Sequence, residues 1–134
     1  MKVNIEQMHK AFEAEGEAAR ALAAATAERI ASTEILEAAE AKLIADNCAK
    51  LAALEAVAAA QANGGKPAKV ANPLGSNDSE RDANVRAQIA GHHMALSNAR
   101  VREQWAIGAH AIAQAEARYY RTLASLLAAG VESE

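Results

Sequence analysis

Large apolar residues in the second half of the chain mark one face of a helix. Ala90, Met94, Ser97, Val101, Trp105, Gly108, Ile112, Tyr119, Leu123 and Leu127 recur at steps of three and four, with Glu116 the one break. The pattern repeats every eleven residues, about 3.67 residues per turn, which predicts a nearly straight pairing and not a heptad supercoil. The first half carries a less regular stripe: Leu22, Thr26, Ile30, Thr33, Leu36, Leu43, Ile44, Cys48, Leu51, Leu54 and Val57. Two long amphipathic helices follow from these rows.

Their limits are read from the breakers. No proline and one glycine, Gly16, occur between about Val3 and Gln61. Asn63-Gly64-Gly65-Lys66-Pro67 then stops helix one. Residues 63–78 hold three glycines and both prolines, Pro67 and Pro73, and read as a loop. Asn77 is placed to cap helix two, with Glu80 three residues on as in a capping box. Helix one is expected over about 3–62 and helix two over about 79–129. Gly16, among glutamates, is a point where the segment Val3–Phe12 is free to bend away. Gly91, beside His92 and His93, is the corresponding weak point in helix two.

An antiparallel pairing in which facing positions sum to about 140 brings large residues together. It sets Phe12 near Leu127, Leu22 near Tyr119, Leu36 near Trp105, Ile44 near Leu96 and Leu51 near Ile89. The expected core anchors are Leu22, Leu36, Leu51, Ile89, Val101, Trp105, Ile112, Tyr119 and Leu123. With Trp105 in that core, Trp105→Ala is expected to cost ~3 kcal/mol or more. The fold expected is all-α: a long antiparallel, coiled-coil-like two-helix hairpin, one elongated helical domain over residues 1–134. A loop longer than the usual 2–8 residues also permits a swapped dimer pairing the same faces.

Composition changes the picture in one respect. Alanine makes up more than a quarter of the 134 residues, so the 51% hydrophobic content overstates the burial available. Alanine forms helices readily but contributes little more than a methyl group when buried, ~0.8 kcal/mol per CH₂ on the usual scale. A thin seam of this kind calls for further burial, so assembly into an oligomeric helical bundle is expected.

Charge adds less. The net charge of −3 gives no blanket signal for nucleic acid. Residues 1–62 carry ten acidic and six basic side chains, whereas Arg81 to Arg121 has six arginines against Asp82, Glu103 and Glu116. An acidic and a mildly basic helix suit each other as neighbours. A single cysteine, no apolar leader and no run of ~20 apolar residues give a soluble, cytoplasmic reading without membrane contact.

Candidate chemistry is sparse. Glu6 and His9 have the spacing of a di-iron bundle ligand pair, but no second copy accompanies them. His92 and His93 are adjacent and point ~100° apart on a helix, so they do not share a metal easily. Cys48, among Ile44 and Leu51, reads as a buried structural thiol. Asn63-Gly64-Gly65-Lys66 follows a helix and not a strand, so it is no phosphate loop. No enzyme, cofactor or metal site is expected. Lys66 and Lys69 in the loop, with Arg100, Arg102, Arg118, Tyr120 and Arg121 on helix two, are the candidate contacts to a partner or to nucleic acid, where guanidinium groups beside aromatics serve phosphate pairing and stacking.

Gly75-Ser76-Asn77-Asp78-Ser79-Glu80-Arg81-Asp82-Ala83 resembles a turn motif of uncharacterised small helical-hairpin proteins from bacteriophage genomes, Gly-Lys-Asn-x-x-Glu-Arg-x-Ala. Ser76 stands where that motif has lysine. The match covers about nine residues and implies a bacteriophage setting, often near recombination genes, without an activity. A non-enzymatic interaction protein that self-associates and binds a protein partner is the function expected. The alternative is a nucleic-acid-binding accessory protein using the helix-two arginines and the loop.

Overall fold

The computed structural model describes residues 4–130, so the expected start of helix one at Val3 lies outside the described residues. The described residues are 84% helical, with no strand among them. The described residues form three helices, α1 (Ile5–Gln61), α2 (Asp78–Gln88) and α3 (Ala90–Ala128). Alanine's low entropic cost explains why α1 runs through Gly16 without a break, contrary to the expected bend. Asn4 Oδ1 accepts the Gln7 amide at 3.2 Å at its start. At its end Asn63 adopts φ 49°, the left-handed cap position that asparagine tolerates better than other side chains.

Helix two is divided, and the break falls at Ile89 and not at Gly91. Ile89 takes φ −107° and ψ 15°. Its amide still donates to Val85 O, and its carbonyl accepts from both His92 N (3.0 Å) and His93 N (3.1 Å). The helix therefore tightens for one residue and resumes. Ile89 is 4% exposed, so its side chain is anchored where the backbone departs from helical geometry.

The chain forms two compact units, residues 1–30 with 98–134 and residues 31–97. In the first, Glu15 pairs with Arg121, Glu28 with Arg102 and Arg29 with Glu103. Partners on α3 descend as those on α1 rise, so the two segments are antiparallel. The position numbers of these pairs add to 136, 130 and 132, below the expected 140. In the second unit Leu36, Ile89 and Leu96 form a buried cluster, flanked by Ala39, Leu43 and Val85. The expected pairings of Leu36 with Trp105, Ile44 with Leu96 and Leu51 with Ile89 are replaced by this cluster; Ile44 is exposed.

The shift in register comes with a change of face. In the first unit the covered positions of α3 are Ala99, Glu103, Ala106, His110, Ala113, Ala117, Tyr120, Leu123 and Leu127, at steps of four and three. Those of α1 include Ala11, Glu15, Ala18, Leu22, Ala25 and Arg29 at the same steps, flanked by half-buried Met8, Phe12, Gly16 and Thr26. Both average 3.5 residues, the period of a heptad seam, where an eleven-residue stripe was expected. Ala99 and Ala117 are fully covered, so small side chains line the seam. Of the expected anchors, Leu36, Ile89 and Leu123 are buried, and Leu22 and Leu51 half-buried. Val101, Trp105, Ile112 and Tyr119 are exposed and are not core residues of the chain.

The loop before α2 is held by polar contacts. Asn72 Oδ1 accepts from Leu74 N (3.0 Å) and from Asn47 Nδ2 (3.0 Å), and Leu74 is buried. Asn84 Nδ2 donates to Leu74 O. Asn77 caps α2 by accepting the Glu80 amide at 2.9 Å. Glu80 does not return to the Asn77 amide as in a standard capping box. Its carboxylate accepts instead from Ser76 N (2.9 Å) and Ser76 Oγ (2.8 Å).

Candidate interaction surface

On a helix advancing about 100° per residue, Val101, Trp105, Ile112 and Tyr119 fall within about 40° of one another. They lie roughly opposite Ala99, Glu103, Ala113 and Ala117, which face α1 in the same unit. Segment 98–119 of α3 thus has two apolar faces: small residues that face α1, and large residues left exposed among the described residues. Trp105 is 78% exposed and Ile112 72%. Gly108 lies among them, and a Cβ built there meets no atom within 4 Å. Glu116 is the one charged residue on the row. Single exposed apolar residues are ordinary on protein surfaces, but an aligned row with a tryptophan at its centre marks an interaction face.

The basic candidates are divided. Arg102 is committed to Glu28, with Nε donating at 3.1 Å. Arg121 donates to both oxygens of Glu15 (2.7 and 3.1 Å) and lies over the Phe12 ring at 5.3 Å. Tyr120 is half-buried, its hydroxyl 3.4 Å from Gln7 Oε1 and its ring edge-on to Tyr119. These three therefore serve the pairing of α1 with α3. Arg100 and Arg118 on α3, and Lys66 and Lys69 in the loop, are exposed. Lys66 and Lys69 belong to the second unit and the other five candidates to the first.

Sequence reasoning missed Glu103, which is only 9% exposed. Arg29 Nε donates to both of its oxygens at 2.8 Å. That guanidinium, with a hydrogen bond from Thr26, holds the Glu103 carboxyl below its ordinary value of 4.5 against the opposing effect of burial. The hydrogen bond from Arg121 lowers Glu15 in the same way, aided by the charges of Arg121, His110 and Arg118. Bonds from Ser76 lower Glu80. A carboxyl whose folded pKa is depressed contributes stability above its unfolded value, and that contribution is lost as pH falls through the folded value. Acid titration followed by circular dichroism should therefore show destabilisation setting in below about pH 4.5. Glu103→Gln should be less stable at neutral pH and have a flatter acid limb. An unchanged acid limb would show that the Arg29 contact is not stabilising.

The rest of the surface is chemically quiet. Cys48 is exposed, contrary to the expected buried thiol, because its helix turn lies off the covered face. His92 and His93 are exposed, and Glu6 pairs with Lys10 at 3.5 Å. Among the described residues no three metal-binding side chains come together, and no helix is long and apolar enough to cross a membrane. Open grooves in the second unit hold about 230–370 Å³, around the lower end of small-molecule sites. The largest of these is lined by Lys50, Ala53, Leu54, Val57 and Pro73 and is apolar. No protein-family model, no curated protein and no solved structure matches this chain.

Proposed function

We propose that this chain is a non-enzymatic helical-hairpin interaction protein that self-associates and presents the assembled helices to a protein partner. The observation that carries the reading is the uncovered row Val101, Trp105, Ile112 and Tyr119 on α3. Each such side chain gains about 1.5–3 kcal/mol when fully buried, and the thin alanine seam leaves that gain to be made with another molecule. The setting implied by the turn motif, an accessory factor of a bacteriophage, belongs to the same proposal. Light scattering on the purified chain tests it. The expected molar mass is a multiple of the 14.0 kDa chain mass, falling toward 14.0 kDa on dilution. A chain that scatters as 14.0 kDa at every concentration does not self-associate. The nucleic-acid alternative draws on Lys66, Lys69, Arg100 and Arg118 and has lost Arg102 and Arg121 to ion pairs. Retention of labelled DNA at low salt, released as salt is raised, would favour it.

A further inference from the structure

The outer row of α3 is complementary to itself. Reversed about its midpoint between positions 106 and 107, it places position 101 opposite 112 and position 105 opposite 108. Val101 then meets Ile112, and Trp105 meets Gly108, the one position on the row with open space where a side chain would be. The same reversal carries Tyr119 onto position 94, which is a methionine. Glu116 falls opposite position 97, a serine, so it meets no like charge. Large residues meet large ones, and the largest meets the smallest. The stretch that this register pairs, positions 94 to 119 along one helix, is ~38 Å long and ~10 Å wide, so two copies would cover about 750 Å² together, the size of a weak, reversible contact. The row is uncharged apart from Glu116, and what it requires of a partner is what it already presents.

We infer that two copies of this chain pair antiparallel through the outer face of α3, with Trp105 of each copy packed on Gly108 of the other. This rests on reading that face as the self-association surface and adds its partner, direction and register. An isologous twofold contact follows, in which each side supplies both knob and socket.

Sedimentation of charge variants separates the two levels of the argument. Val101→Glu and Ile112→Lys should each raise the dimer Kd by ~100-fold, because each buries an unpaired charge. The double variant should return to within ~10-fold of the wild type, since position 101 meets 112 only in the antiparallel register. In a parallel pair 101 meets 101, so the double variant would stay dissociated. Gly108→Leu is the second arm. It removes a helix-weakening glycine where the single chain has room, so folding is preserved, but it fills the socket and should raise the Kd at least ~10-fold. A dimeric wild type with no rescue in the double variant, or with no response to Gly108→Leu, overturns the register while self-association stands. A wild type that is monomeric throughout overturns both and leaves the strip to a different protein.

Discussion

Replacing Leu96 by alanine is expected to cost the chain about 3 kcal/mol, several times the cost of replacing its tryptophan. Leu96 is 5% exposed and packs with Leu36 and Ile89. Truncation removes its transfer free energy and leaves a cavity that two long helices cannot easily close, a combination that costs ~2–5 kcal/mol in buried leucines. Trp105 is the largest side chain in the sequence, and by size alone its loss would be the worse of the two. Its exposure in the single chain predicts a change within about 0.5 kcal/mol under dissociating conditions, as for ordinary surface substitutions. Urea unfolding of both variants at low protein concentration compares them directly. If Trp105→Ala proves as costly as Leu96→Ala there, the large stripe and not the alanine seam is the internal core. At high concentration Trp105→Ala is expected to weaken association as well, and the two losses separate by their dependence on concentration.

Gly75→Ala should be nearly as damaging, through the backbone and not through lost contacts. Gly75 has φ +146°, a conformation that an L side chain rarely adopts. A Cβ there would lie 2.7 Å from Glu80 Cβ and 3.0 Å from Arg81 N. Neither neighbour is the free end of a flexible side chain, so the turn itself has to shift. Strain of this kind costs on the order of 1–3 kcal/mol. The shift would also pull on the Arg81 Nη1 bond to Gly75 O (3.3 Å) and on the Ser76 bonds to Glu80. The expected result is a loss of about 2–3 kcal/mol, with faster amide exchange at the start of α2. Gly64→Ala is the comparison: φ is +85° there too, but nothing lies within 4 Å, so backbone strain acts without a clash and the cost should be smaller. Equal stability of Gly75→Ala and the wild type would mean that the turn adjusts freely.

Helices, their approximate ends and the Asn77 cap were legible because each has a local cause. Alanine sets propensity, Asn63 and Gly64 stop α1, and Asn77 meets the Glu80 amide three residues on. The choice of face was not legible. Side-chain size is a poor guide to burial when alanine is spread so widely that its own period has little contrast. Glu103 and His110 further disguise the heptad seam, since a charged and an ionisable residue read as surface until Arg29 is found against the carboxylate. The exposed row was visible in the sequence as a stripe, and only its destination was misread. Arg102 and Arg121 show the same limit, because their partners Glu28 and Glu15 lie 74 and 106 residues away. No local pattern distinguishes an arginine committed to such a partner from a free one.

The single tryptophan reports whether α3 is covered by α1 on its small face and left open on its large one. Fluorescence of Trp105, with iodide quenching, should be followed from the dissociated to the associated concentration range set by light scattering. The expected result is red-shifted, readily quenched emission in the dilute chain, and blue-shifted, protected emission as association proceeds, with one midpoint for both signals. Emission already blue-shifted and protected in the 14.0 kDa chain would contradict it, since Trp105 would then lie inside the single molecule.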